Sequence, residues 1–284
     1  MDHTIRVDAH HHVWDLSVRD QEWTRDLPAL HQSFSLEDLR PLLDQNGIDA
    51  TIVVQTLNVR EETPELLVLA QQNDVVAGVV GWVELSDEGV ADEIAQLRAS
   101  TGGEFLVGLR HVAQDESDDE WTCRPDVLMG LRAVSDAQLV YDLLVREHQL
   151  PSAITAVRTL PELRFVLDHF GKPLIDTGDM EPWRTRMIEL ARFENVAVKF
   201  SGLVTEVVSR PWRVEDLTPY VEVVLSLFGT ERVMFGSDWP VCQIAASYAE
   251  MLDAAHELTS ELTASEKDAL FGATAAHWYT LDVA

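Results

Sequence analysis

Lysine is nearly missing from this chain. It occurs only at Lys172, Lys199 and Lys267 among 284 residues, and all basic residues together number 21 against 49 acids. The formal charge of -28 repels phosphate backbones and anionic membranes, which excludes nucleic acid and membrane surfaces as expected partners. A lysine-poor acidic surface has two readings, a high-salt habitat or a GC-rich genome that writes arginine for lysine. Cysteine is equally sparse, with only Cys123 and Cys242. Two thiols in a chain this long argue against a disulfide scaffold and for a reducing, cytoplasmic setting. No apolar run approaches the ~20 residues of a membrane span. The opening Met1-Asp2-His3-Thr4 lacks the basic start and apolar stretch of a secretory signal. Repeats, low-complexity tracts and linkers are absent as well, so residues 1–284 are expected to form one domain.

The 46% apolar content is ample for a core. Apolar, β-branched runs fall at 5–9, 51–55, 75–83, 105–110, 140–145, 164–168, 196–200 and 232–235. Most are continuous, as in parallel strands buried on both faces. Helical spacing separates them. Leu66, Leu67, Leu69 and Ala70 share a face over 63–73, Val90, Ile94 and Leu97 over 87–99, and Met187, Leu190 and Ala191 over 183–193. Strand alternating with helix implies a parallel sheet. Eight such units without a Gly-rich dinucleotide turn after the first strand favour an α/β fold of the closed (β/α)8 TIM-barrel kind over an open sheet. The acidic stretch 114–120 (QDESDDE) is a solvated loop or a lid.

Chemistry in such a barrel gathers at the C-terminal strand ends. The first strand runs into His10-His11-His12-Val13-Trp14. Alternation puts His10 and His12 on one face and His11 on the other. The fourth strand ends in Arg110-His111, and Arg110 brings a permanent cation with a fork of donors. The sixth ends in Asp168-His169 before a Gly-Lys-Pro turn, with Asp168 read as an orienting or capping group. The eighth ends in Gly236-Ser237-Asp238-Trp239-Pro240. Asp238 is a candidate general base, although aspartate also serves well as a helix N-cap. No Ser, Cys or Thr stands in a nucleophile-elbow motif. Direct attack by water is therefore favoured over a covalent intermediate.

The D-x-H-x-H-x-W opening, LDHFGKP, VKFSGLVTE and GSDWP lie in order on four strands. Together they resemble the amidohydrolase superfamily, and its lactonase branch most closely: L-fuconolactonase, L-rhamnonolactonase and 2-pyrone-4,6-dicarboxylate lactonase. The similarity runs from about Val7 to Leu281, and YDLLVREHQLP and VMFGSDWPVCQIAASY look most like the sugar-lactone members. The resemblance implies that His10, His12, His169 and Asp238 form the catalytic site. It also implies a departure. Metal-dependent members carry a further histidine or a modified lysine at the fourth or fifth strand end. Here the fifth ends Leu144-Val145-Arg146-Glu147-His148, with His148 displaced into the loop, and Lys199 on the seventh strand does not match. A binuclear lysine-carbamate centre is therefore not expected. One divalent ion, zinc first, can be held by His10, His12, His169 and Asp238, and a strained cyclic ester does not strictly require it.

Around these residues, Arg110, His111, Ser201 and Glu206 are expected to bind substrate, with Thr205 and Gln55 as further hydroxyl partners. Trp14 and Trp239 would wall the ring or pack in the core. The expected reaction is hydrolysis of an aldonolactone such as L-fuconolactone or L-rhamnonolactone. A neutral sugar lactone is preferred over a dicarboxylate, because a buried dianion needs several cations and only Arg110 and, less directly, Arg146 stand at strand ends. The alternatives are a metal-dependent amidohydrolase or decarboxylase acting on another small carboxylic substrate, and a non-catalytic relict. The first would require full metal occupancy. The second would have lost the convergent His/Asp set, which is intact. Assembly into homo-oligomers is left open.

Overall fold

The computed structural model describes residues 4–283. Eight parallel strands pair in chain order: β1 Val7–His11, β2 Ala50–Val54, β3 Val76–Gly81, β4 Leu106–His111, β5 Val140–Leu143, β6 Phe165–Leu167, β7 Val196–Phe200 and β8 Val233–Phe235. Helices follow them in turn: α1 Leu36–Asn46, α2 Glu62–Gln72, α3 Val90–Ala99, α4 Pro125–Asp136, α5 Leu150–Thr159, α6 Trp183–Leu190, α7 Val214–Phe228 and α8 Tyr248–Leu258. The expected (β/α)8 barrel is what forms. The ring closes just past β8, where Asp238 N donates to His10 O at 2.8 Å and His12 N donates to Trp239 O at 2.7 Å. Barrel closure and the candidate site thus share the same few residues.

Two apolar layers account for the architecture. Outward strand side chains such as Val53, Tyr141, Phe165, Val198 and Phe235 pack with the helices. Inward ones, including Val7, Ala9, Ile52, Val140, Val166, Ala197 and Met234, fill the barrel with Ala275, Trp278 and Tyr279 of a C-terminal helix spanning Thr274–Tyr279. Two residues further up, alternation replaces apolar groups by charge. Asp142 follows Val140, Asp168 follows Val166 and Lys199 follows Ala197, all fully buried. Gly236 takes the corresponding place above Met234, where a Cβ would meet His10 Cβ at 2.6 Å. Only glycine leaves room there for the imidazole.

β1 departs from simple alternation. Val7 and Ala9 face inward, which would carry His11 inward too. The pairing register with β2 shifts between Asp8 and His11, and this resets the phase. His10 and His12 point into the barrel, while His11 turns outward to Thr51 Oγ1 at 3.0 Å. The strand therefore extends two residues beyond the expected 5–9 and ends among the histidines.

Candidate active site

His10 and His12 bring their Nε2 atoms to 3.1 Å of each other. Asp238 Oδ1 lies 3.7 Å from the first and 3.6 Å from the second. His12 Nδ1 is 2.7 Å from the carbonyl of Val54. A carbonyl only accepts, so Nδ1 carries the proton and Nε2 turns a lone pair toward the cluster. His169 completes the set, its ring centroid 4.7 Å from that of His10. The residues His10, His12, His169 and Asp238 thus come together, with His11 outside.

Local backbone explains how short loops aim these groups. His169 and Phe170 have φ of 53° and 55°, and Asp238 has φ of 56°. Non-glycine residues in the left-handed region are uncommon and cost energy, and here they sit at the reactive side chains. Asp8 holds the Asp238 loop. Its carboxylate accepts from Ser237 N at 2.8 Å, Tyr248 Oη at 3.0 Å and His10 N at 3.2 Å. Gly202 (φ 64°) lies so close to His169 that a Cβ would fall 2.5 Å from Nδ1. The next contact, His169 Nδ1 to Ser201 Oγ at 2.8 Å, leaves Nε2 for a ligand.

Below this cluster lies a charged floor. Lys199 Nζ donates to Asp142 Oδ2, and lies 3.2 Å from Asp168 Oδ1 and 3.2 Å from His10 Nδ1. Arg110 Nη1 donates to Asp168 Oδ2 at 2.9 Å, and its Nη2 donates to the carbonyl of Gln55. Tyr279 reaches up from the C-terminal helix to give Asp142 Oδ1 a hydrogen bond of 2.7 Å. Asp142 was not singled out from the sequence, and Lys199 was weighed only as a metal-site lysine and set aside. The available signal was a charge at an inward position of a strand otherwise apolar on both faces.

Burial dominates the proton affinities. It pushes the His169 imidazole down to about 4 and His10 well below its ordinary value, the latter helped by Lys199. Both are neutral at neutral pH. Burial raises Asp142 to about 6, against the pull of Lys199. Burial also acts to raise Asp168 and Asp238, but it is outweighed. Lys199, His10 and Arg110 hold Asp168 well below the carboxylate range, and the three imidazoles keep Asp238 below it.

The site opens into a cavity of about 720 Å³ lined by His12, Arg110, His169, Asp238, Thr205 and Glu206, with Lys172, Trp23 and Asn58 among the remaining wall. Arg110, Thr205 and Glu206 stand where substrate contact was expected. Several expected contacts do not. Trp14 and Trp239 are buried around Phe34, with ring centroids 5.1 and 5.5 Å from it. Trp23, 39% exposed, takes the wall position instead. His111 stacks on Trp121 at 3.8 Å and accepts from Trp82 Nε1 at 3.0 Å. Ser201 serves His169 rather than lining the cavity, and Gln55 Oε1 accepts from Arg110 at 3.2 Å. Arg146 is tied to Gln114 O and Asp115, and the exposed His148 pairs with Asp119. Gln114, Asp115 and Glu116 of the acidic stretch line the mouth.

Among the described residues, two groups of side chains converge closely enough to hold a metal ion: His10, His12 and Asp238, and His10, Asp168 and His169. The first fits a divalent ion by donor chemistry, with two imidazoles and a carboxylate, the His12 lone pair directed into the group, and no lysine or arginine paired with Asp238 among the described residues. The second is already occupied by charge, because Asp168 is engaged by Arg110 and Lys199.

The amidohydrolase family profile matches residues 7–281. The chain is 37% identical over 286 residues to an L-fucono-1,5-lactonase of Burkholderia ambifaria, covering 98% of this chain and 97% of that one. An amidohydrolase from Burkholderia multivorans, solved with bound zinc, superposes with a TM-score of 0.91 at 36% identity, covering 98% of this chain and 99% of the other. A putative 2-pyrone-4,6-dicarboxylic acid hydrolase from Pseudomonas putida shares the fold at a TM-score of 0.80 and 21% identity, over 99% and 100% of the two chains.

Proposed function

The chain belongs to the amidohydrolase family, and from that premise we propose that it hydrolyses a sugar lactone of the L-fucono-1,5-lactone type. The observation that carries this reading is Asp238, a buried carboxylate with no lysine or arginine partner among the described residues, facing three imidazoles across a cavity wide enough for a six-membered ring. The relatedness to an L-fucono-1,5-lactonase along nearly the whole chain supports the same substrate class.

Opening a lactone needs a water made nucleophilic, a polarised carbonyl and a proton for the departing alkoxide. Asp238 is the general base that takes the proton from water as the C–O bond forms. Arg110 lines the cavity and offers a fixed cation toward the developing oxyanion. His169 has its Nδ1 engaged by Ser201 Oγ. When the hydroxyl donates to Nδ1, Nε2 carries the proton and donates to the carbonyl oxygen. Asp238 then returns its proton to the ring oxygen as the ester bond breaks. A divalent ion, zinc by analogy with the Burkholderia multivorans relative, would be held by His10, His12 and Asp238 and would supply Lewis acidity to carbonyl and water. Trp23, Thr205 and Glu206 hold the sugar ring and its hydroxyls.

The test is a pH-indicator assay, since each ring opening releases a proton. L-Fucono-1,5-lactone, L-rhamnono-γ-lactone and 2-pyrone-4,6-dicarboxylate are compared at one salt concentration. A sugar lactone should lead the dicarboxylate by at least tenfold in kcat/KM, the scale of one buried carboxylate left without a partner. Preference for the dicarboxylate, or no lactone opened, overturns the assignment.

A further inference from the structure

Lys172 and Glu206 face each other in the cavity wall, Nζ to Oε1 at 3.6 Å. That spacing is longer than a hydrogen bond, and both side chains are about one-fifth exposed, at 19% and 22%. Each therefore keeps polar valences for a ligand. The pair is mounted on the two loops that place His169. Lys172 ends the left-handed run after β6, with φ of 50° and its N–H donating to His169 O at 2.9 Å. Glu206 ends the short turn Leu203–Glu206 that follows Gly202, the residue packed under the His169 ring. The distance between this pair and the reactive histidine is thus held by interlocked loops.

We propose that Lys172 and Glu206 read two adjacent hydroxyls of the substrate, an inference that rests on the lactonase reading. The chemistry is complementary. A carboxylate only accepts and an ammonium only donates. Neighbouring hydroxyls of a sugar can satisfy both at once, one donating to Glu206 and the next accepting from Lys172. Charge-assisted hydrogen bonds of this kind are the stronger ones. An unsubstituted lactone would leave the remaining donors of Lys172 and acceptors of Glu206 unfilled, with only the 3.6 Å ion pair between them, in a half-dried cavity. The pair therefore selects for a vicinal diol and against plain aliphatic lactones. Lys172 becomes a specificity-determining residue, a role its place in a Gly-Lys-Pro turn did not suggest.

The experiment compares L-fucono-1,5-lactone with δ-valerolactone, which has the same ring and no hydroxyls. The readout is the ratio of their kcat/KM values in wild type, Lys172→Met and Glu206→Gln. Each variant should lower the ratio at least tenfold, the scale of one lost hydrogen bond to a charged group. A ratio within twofold of wild type in both variants overturns the proposal. Both side chains are partly exposed, so neither variant should unfold the barrel, and thermal unfolding checks this. If wild type opens neither lactone, the reading of the reaction fails separately. Calorimetric binding of methyl α-L-fucopyranoside then tests the pair alone. A tenfold weakening in both variants supports it, and no binding, or binding unchanged by the variants, overturns it.

Discussion

Two groups of charges are stacked inside one barrel, and they are built on opposite plans. In the floor, two carboxylates meet two cations: Asp142 with Lys199, and Asp168 with both Arg110 and Lys199. At the rim, the ion-pair contacts of Asp238 among the described residues are with His10 and His12 alone, and burial keeps His10 neutral. The floor is balanced in charge and fully buried. The rim carries one uncompensated negative charge and faces the cavity. A paired charge in a dry interior is a structural commitment, because removing one partner strands the other. An unpaired carboxylate still has a proton or a cation to bind. The difference separates residues that hold the barrel from residues that do the chemistry, although the two groups touch through His10 and Arg110 belongs to both, paired with Asp168 and lining the cavity.

The contrast can be broken in two ways. Asp238→Asn should abolish most turnover, by on the order of 10²–10⁴-fold for loss of a general base, while the melting temperature stays close to wild type because no cation is stranded. Lys199→Met should do the reverse in stability. It leaves Asp142 without its cation, and breaking a buried pair costs about 3–5 kcal/mol, on the order of 10 °C in melting temperature for a domain of this size. Adding Asp142→Asn to Lys199→Met should recover a large part of that loss, since the neutral pair strands less charge. Thermal unfolding and steady-state kinetics on the same preparations decide the matter. An unaltered melting temperature in Lys199→Met, or a collapsed one in Asp238→Asn, would erase the distinction.

Much of this was legible in the residues, and the failures have physical causes. The barrel followed from eight β-branched runs, and β7 falls on 196–200 as expected. The convergence of His10 and His12 also followed, but from alternation counted within the histidines. Counted from Val7 it would have failed, because the register shift between Asp8 and His11 cannot be read from periodicity. Lys199 was set aside for standing on the wrong strand. In a barrel, inward side chains from β5, β6 and β7 meet at one level, so Lys199 reaches Asp142 and Asp168 across strands. Asp142 lay unread inside YDLLVREHQLP. Trp14 was left between cavity wall and core, and Trp23 went unread, because side chains of an irregular loop carry no period, and only packing against Phe34 draws Trp14 inward. Ser201 was expected to touch substrate, yet its neighbour Gly202 brings His169 within reach first.

The smallest predicted effect concerns the product. A neutral lactone enters, and a carboxylate leaves. The cavity wall carries Asp20, Glu22, Asp115, Glu116, Glu206 and Asp238 against Arg110 and Lys172. Arg110 is held by Asp168, and Lys172 faces Glu206. Little cationic field is left over to retain an anion, and the chain as a whole adds a charge of -28. The field should therefore expel the aldonate while leaving the lactone indifferent. Salt weakens this effect, because the screening length shrinks from about 10 Å at 0.1 M to about 3 Å at 1 M. Product inhibition should strengthen by roughly two- to fivefold over that range, while KM for the neutral lactone stays nearly constant. The measurement is the inhibition constant of the aldonate at both salt concentrations. If salt weakens inhibition instead, the product is held by Arg110 and Lys172 rather than repelled by the acids, and the rim is less negative to a bound ligand than its composition implies.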